Sequence, residues 1–179
     1  LIDNGVDCVT TAEPTDGPLG KLIRQALSGR FIVDPETLAL MFAADRLDHL
    51  ARTVRPALED GLSVVTDRYV HSSLAYQSLG ANPDWVATIN SQAPPADLVI
   101  LLDAPVDICL DRVKARDGWL IDIFENESFL ERVRANYLRL ARLSRGAGEK
   151  VKVLDAARPV EEVTQAIIET VKSTFSGKI

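Results

Sequence analysis

Asp67 and Arg68 stand side by side, followed by Tyr69, directly after the apolar run Leu62–Thr66. Opposite charges set against the end of a buried strand are costly unless something binds them, so this triplet is the first candidate for ligand chemistry. Three other apolar runs also end in acids. Val6–Thr11 leads into Ala12-Glu13-Pro14, Leu98–Asp103 ends on its own carboxylate, and Val151–Leu154 is followed by Asp155. A lone Asp in such a place is more often a helix cap or turn former, and that role is expected of Asp103 and Asp155. Phe42 and Arg46 lie one helical turn apart and share a face, which suits a ring platform beside a hydrogen-bond donor; ordinary core packing of Phe42 is the rival. Positions 69, 72, 73 and 76 also fall on one helical face, presenting Tyr69, Ser72, Ser73 and Tyr76 together. The two serine hydroxyls are equally suited to bonding backbone in a first helical turn. Arg112 and Arg116 fit either an anionic ligand or the neighbouring Asp111 and Asp117.

These residues need elements to position them. The four apolar runs read as strands, the third being almost wholly apolar, as a parallel strand covered on both faces would be. Helical patterns fill the intervals: 19–28, 34–59, 70–79, 84–91, 105–116, 127–144 and 159–175. Asp34-Pro35 is expected to cap and open the second of these, and Gly61 to stop it. Alternating strands and helices predict an α/β fold, a parallel sheet with helices on both faces and ligands beyond the carboxyl ends of the strands.

Composition sets the outer limits. The 179 residues carry a net charge of −6, with 46% hydrophobic residues, enough for one domain with a substantial core. An acidic balance argues against coating nucleic acid or an anionic membrane. Residues 112–152 run the other way, a cationic stretch compatible with gripping a phosphorylated small molecule or with a solvated helix face. No run approaches the ~20 apolar residues of a membrane span. Cys8 and Cys109 are the only cysteines, each inside an apolar run, and read as reduced core residues of a cytoplasmic protein.

Residues 67–77 (DRYVHSSLAYQ) resemble the DR[YF]…S…AYQ signature of thymidylate kinases. Glu13-Pro14 with Pro18-Leu19-Gly20 resembles the EP…PLG segment of that family, and residues 40–46 (LMFAADR) its LLFAADR helix. Residues 122–125 (DIFE) resemble the end of its lid, and Asn136-Tyr137-Leu138 the helix beyond. The wording of AEPTD, LALMFAADR and DIFENESF is similar to archaeal members.

The resemblance implies a three-layer P-loop-kinase fold, one nucleoside-monophosphate-kinase-like domain over 1–179 with a lid near 113–125. It implies transfer of the γ-phosphoryl of ATP to dTMP with Mg²⁺, and a homodimer formed through Pro35–Glu59. Arg68 would hold the acceptor phosphate with its planar fork. Asp67 would position Mg²⁺, its waters or the reacting phosphate. Phe42 would stack on thymine, Arg46 would donate to the base, and Tyr76 would pack under the deoxyribose with Ser73 and Gln77 beside it. Glu13 and Pro14 would line the same pocket, Glu125 would approach as the lid closes, and Arg112 and Arg116 would flank the donor nucleotide. Such a set suits a reaction that is mostly positioning and charge neutralisation.

The departures are specific. Ala12 and Ile123 stand where many relatives have Arg, and Gly118-Trp119-Leu120 reads as an insertion. No G-x-x-x-x-G-K-[ST] occurs in residues 1–179. In related enzymes that phosphate-binding loop follows a first, central strand, lying between the strands at 62–66 and 98–103 here. Leu1–Gly5 reads as the tail of the helix after that loop, which implies about 25–35 further residues by ordinary element lengths. A chain without them is expected neither to fold stably nor to catalyse transfer. The rival functions are a kinase for another nucleoside monophosphate and a non-catalytic nucleotide-binding homologue.

Overall fold

The computed structural model describes residues 7–117 and 126–175, the side chains of Arg116 and Asp117 excepted. Its elements run β1 (Cys8–Ala12), α1 (Pro18–Leu27), α2 (Pro35–His49), a π-helical stretch (Leu50–Val54), α3 (Arg55–Glu59) and β2 (Ser63–Asp67). Then come α4 (Val70–Tyr76) with a 3₁₀ turn (Gln77–Leu79), α5 (Pro83–Ile89), β3 (Val99–Asp103), α6 (Val106–Asp117), α7 (Glu127–Gly146), β4 (Val151–Asp155) and α8 (Val160–Thr174). This is the α/β order expected from the sequence, with parallel strands and helices on both sides. β1 pairs with β2, Cys8 opposite Ser63 through Ala12 opposite Asp67. β3 pairs with β4, Val99 opposite Val151 through Asp103 opposite Asp155. Among the described residues these form two separate two-stranded sheets. The chain divides into two compact units, Leu1–Pro94 and Pro95–Ile179.

In the first unit α2 packs on α1, α4 and α5, and α3 packs on β2. Ile23, Leu50, Ala75 and Val86 are wholly inaccessible there. Asp34 has the extended backbone of an N-cap, yet its side chain makes no capping hydrogen bond. The single helix expected to reach Glu59 is interrupted by the π-helical stretch. Pro56, which has no N–H and whose ring crowds the carbonyl one turn earlier, follows immediately, and the wider turn accommodates it. Gly61 then ends α3 at φ +79°, with Gly61 N donating to the Leu58 carbonyl and Leu62 N to that of Ala57. That paired closure needs a left-handed residue, which glycine supplies at no steric cost.

In the second unit α7 packs on β3 and β4, α8 on β4, and α6 on α7. Asn126 caps α7, its side-chain oxygen accepting from Phe129 N at 3.1 Å. Asp103 meets α7 through Arg134, so α7 covers the face of β3 that carries Val99, Leu101 and Asp103. Leu102, on the other face, is 50% exposed. No helix among the described residues is long and apolar enough to cross a membrane.

One close approach ties α1 to the loop after β1. A Cβ built on Gly20 would sit 1.8 Å from the Thr15 carbonyl oxygen, so backbone would have to move. Gly20→Ala should lower stability by about 1–3 kcal/mol, the usual cost of overpacking, measured by urea unfolding.

Candidate functional site

Helix α2 presents Phe42, Asp45, Arg46 and His49 at spacings of three and four, hence along one face. Three of these four are polar, and all three are buried: Asp45 and Arg46 are 1% exposed and His49 3%. A guanidinium taken out of water loses several kcal/mol of hydration unless its donors are answered. Here they are. Arg46 Nη2 donates to Glu13 Oε2 at 2.6 Å, and Nη1 donates to Ser73 Oγ at 3.0 Å and to the side-chain oxygen of Asn90. Asn90 is oriented by its own amide, which donates to the Val86 carbonyl at 2.8 Å and so turns its oxygen to Arg46. The second oxygen of Glu13 lies 3.0 Å from His49 Nδ1, and His49 Nε2 lies 2.9 Å from Thr11 Oγ1. The His49 ring thus bridges Glu13 and Thr11.

Asp45 anchors the loop between β1 and α1. It accepts from Thr15 N at 2.8 Å and from Thr15 Oγ1 at 2.6 Å. Below Arg46 lies the Tyr69 ring, whose centroid is 5.5 Å from the guanidinium carbon; the Tyr69 hydroxyl donates to the Pro94 carbonyl at 2.9 Å. Burial pushes the Tyr69 phenol up, with the Glu13 carboxylate adding to the shift and the Arg46 and Arg55 cations opposing it. Arg46 Nε is buried and has no hydrogen-bond partner.

The end of β2 supplies the second part of the site. Asp67 is the last strand residue, its carbonyl accepting from Glu13 N at 3.0 Å, and its side chain is exposed. Arg68 has φ +66°, a left-handed conformation that non-glycine residues adopt at a cost of about 1–3 kcal/mol and that clusters at functional sites. Thr66 Oγ1 donates to its carbonyl at 3.0 Å and helps hold it there. The Arg68 guanidinium carbon lies 5.2 Å from the centroid of the Tyr76 ring.

Of the residues singled out from the sequence, the structure brings Glu13, Arg46 and Ser73 together. All three are enclosed in protein. Gln77 is buried, while Phe42, Pro14 and Tyr76 are half-buried. Asp103 is not a cap: its carboxylate takes a two-pronged pair from Arg134, Nε at 2.7 Å and Nη2 at 3.0 Å. Asp155 does form a local turn, accepting from Ala157 N at 2.9 Å. Arg112 is exposed on α6 in the second unit. Glu125, residues 118–120, Ile123 and the Arg116 side chain lie outside the described residues. Among the described residues, no cluster of three or more His, Cys, Asp or Glu is suited to a metal. The sequence reading missed Asp45, His49, Thr15 and Asn90. The shared helical face with Arg46 could have exposed the first two; nothing local marks Asn90.

The family model described as thymidylate kinase matches residues 1–167. The chain belongs to the thymidylate kinase family. It is 41% identical to the probable thymidylate kinase of Pyrococcus abyssi over 98% of this chain and 86% of that protein. It is 42% identical to the probable thymidylate kinase of Pyrobaculum aerophilum, over 94% and 84% of the two chains. A bacterial relative, the putative thymidylate kinase of Treponema pallidum, is 37% identical over 90% and 79%.

The raised Tyr69 pKa carries a pH dependence. The folded protein keeps the phenol neutral where the unfolded chain ionises it, so the stabilisation is intact below about pH 10 and is lost as the pH rises toward the folded value. Unfolding free energies measured across that range should fall more steeply with pH for the wild type than for Tyr69→Phe.

Proposed function

We propose that this protein converts dTMP and ATP into dTDP and ADP with Mg²⁺. One observation carries the reading furthest: a fully buried arginine one helical turn from a half-buried Phe42, its Nε left without a partner among the described residues. A pyrimidine base needs a ring to stack on and donors fixed in direction, and a guanidinium locked on Glu13, Ser73 and Asn90 cannot turn to suit a different base. The thymidylate kinase names of the relatives support the same conclusion.

In this reading Glu13 acts through Arg46, holding its charge in place, and Pro14 lines the pocket wall. Arg68 holds the acceptor phosphate as a bidentate donor from the exposed turn after β2. Ser73 and Gln77 shape the wall behind the base, and Tyr76 packs under the deoxyribose. Asp67 suits Mg²⁺: its carboxylate is exposed and has no side-chain partner among the described residues, leaving oxygens for a cation that favours carboxylate and water. When bound, the ion supplies neutralisation of phosphate charge. Arg112 and Arg116 flank the donor nucleotide and Glu125 belongs to the closing lid, in a three-layer domain spanning 1–179. The exposed Leu40, Ala44, Leu47 and Ala51 recur at helical spacing along α2 and its extension, an apolar stripe suited to a second copy, hence a homodimer. The location that fits these substrates is the cytoplasm.

The test is steady-state phosphoryl transfer by the intact gene product on a panel of nucleoside monophosphates. dTMP should lead, and ribothymidine monophosphate should fall about one to two decades behind, because a buried 2′-hydroxyl without a partner costs about 1–3 kcal/mol. Arg68→Lys keeps the charge but loses the fork; its kcat/KM for dTMP should drop at least tenfold with the melting temperature little changed. Equal turnover of several monophosphates, or an unchanged Arg68→Lys enzyme, would overturn the assignment.

A further inference from the structure

We infer that Tyr76 is a positioning residue for Arg68, so that the ring beneath the sugar also presets the arm that holds the phosphate. The inference rests on the reading of Arg68 as the phosphate partner and adds a coupling between two parts of the nucleotide. Three observations carry it. The Arg68 guanidinium lies over the Tyr76 ring at 5.2 Å, within the range where a cation is attracted to an aromatic face. The Arg68 backbone sits in the left-handed region and its carbonyl is held by Thr66 Oγ1, so the direction in which its side chain leaves the turn is fixed. The same relation recurs seven residues earlier, where Tyr69 lies under Arg46 at 5.5 Å. Tyr69 and Tyr76 open and close the single helix α4, so two successive turns each present a ring to one arginine.

The physical consequence concerns entropy. An exposed arginine explores many rotamers, and gripping a phosphate means giving them up. A ring that already confines the guanidinium removes part of that cost before the ligand arrives. Tyr76 therefore contributes to affinity for the phosphate as well as for the sugar, and the two contributions separate when the phosphate is absent.

Calorimetric binding of dTMP and of thymidine to the intact enzyme separates them. Both ligands carry the same base and deoxyribose, so loss of sugar packing weakens them by the same factor. Tyr76→Leu should weaken dTMP about two- to fivefold more than thymidine, the fold-change expected of one exposed cation–ring contact. Tyr76→Phe keeps the ring face and should restore the wild-type ratio. In an Arg68→Met background, Tyr76→Leu should weaken the two ligands equally. Partial misfolding of a variant lowers the binding stoichiometry and leaves the ratio of affinities intact. Equal weakening of dTMP and thymidine by Tyr76→Leu in the wild-type background would overturn the inference and leave the functional reading standing. A wild-type enzyme with no preference for dTMP over thymidine would overturn both.

Discussion

The charge on Arg46 has to be answered inside the protein, and much of the first unit is arranged around that requirement. With 1% of its surface exposed, the guanidinium draws partners from three directions: Glu13 from the end of β1, Ser73 from α4 and Asn90 from the end of α5. Each partner is itself buried, so each must be held in turn. His49, itself paired with Thr11, holds Glu13, and the Val86 carbonyl holds Asn90. Every unpaired group in such a network keeps its desolvation cost, so the partners of Nη1 and Nη2 cannot be given up cheaply. The pairing of both Nη atoms is what fixes the mutual placement of α2, α4, α5 and the loop after β1.

The second arginine works under a different constraint. Arg68 is exposed, so hydration competes with every partner it has. Its placement comes from backbone conformation at the turn after β2 and from the Tyr76 ring. One arginine is thus fixed by burial and the other by local geometry. The two meet on α4, the seven-residue helix whose Ser73 touches one and whose Tyr76 touches the other.

Much of this was legible in the sequence because periodicity and local chemistry write it there. Alternating apolar runs and helical patterns located the elements to within a residue or two, and the strand-end rule pointed to Glu13, Asp67 and Arg68. The 67–77 segment carried its face of Tyr69, Ser73 and Tyr76 openly. The rest depended on long-range pairing. Glu13 reads as a ligand from its place at a strand end, yet its partner is 33 residues away, and no spacing rule links them. Asn90 looks like any helix-terminal residue until the fold brings it to Arg46. Asp103 was read as a cap because caps are the usual fate of such a residue; Arg134, 31 residues later, takes it instead. The π-helical stretch before Pro56 followed from a known dislike of proline inside helices, though the pattern of apolar residues there gave no hint of it.

Loss of either member of the Glu13–Arg46 pair leaves an unanswered buried charge. The most direct test is a double-mutant cycle in unfolding free energy with Glu13→Gln, Arg46→Met and the double variant. Each single change should cost about 3–5 kcal/mol, because one charged partner remains buried without the other. The double variant removes both charges and should cost less than the sum of the two by more than ~1 kcal/mol, a coupling typical of contacting groups in one network. Strictly additive effects, or single variants as stable as the wild type, would contradict this role of the pair.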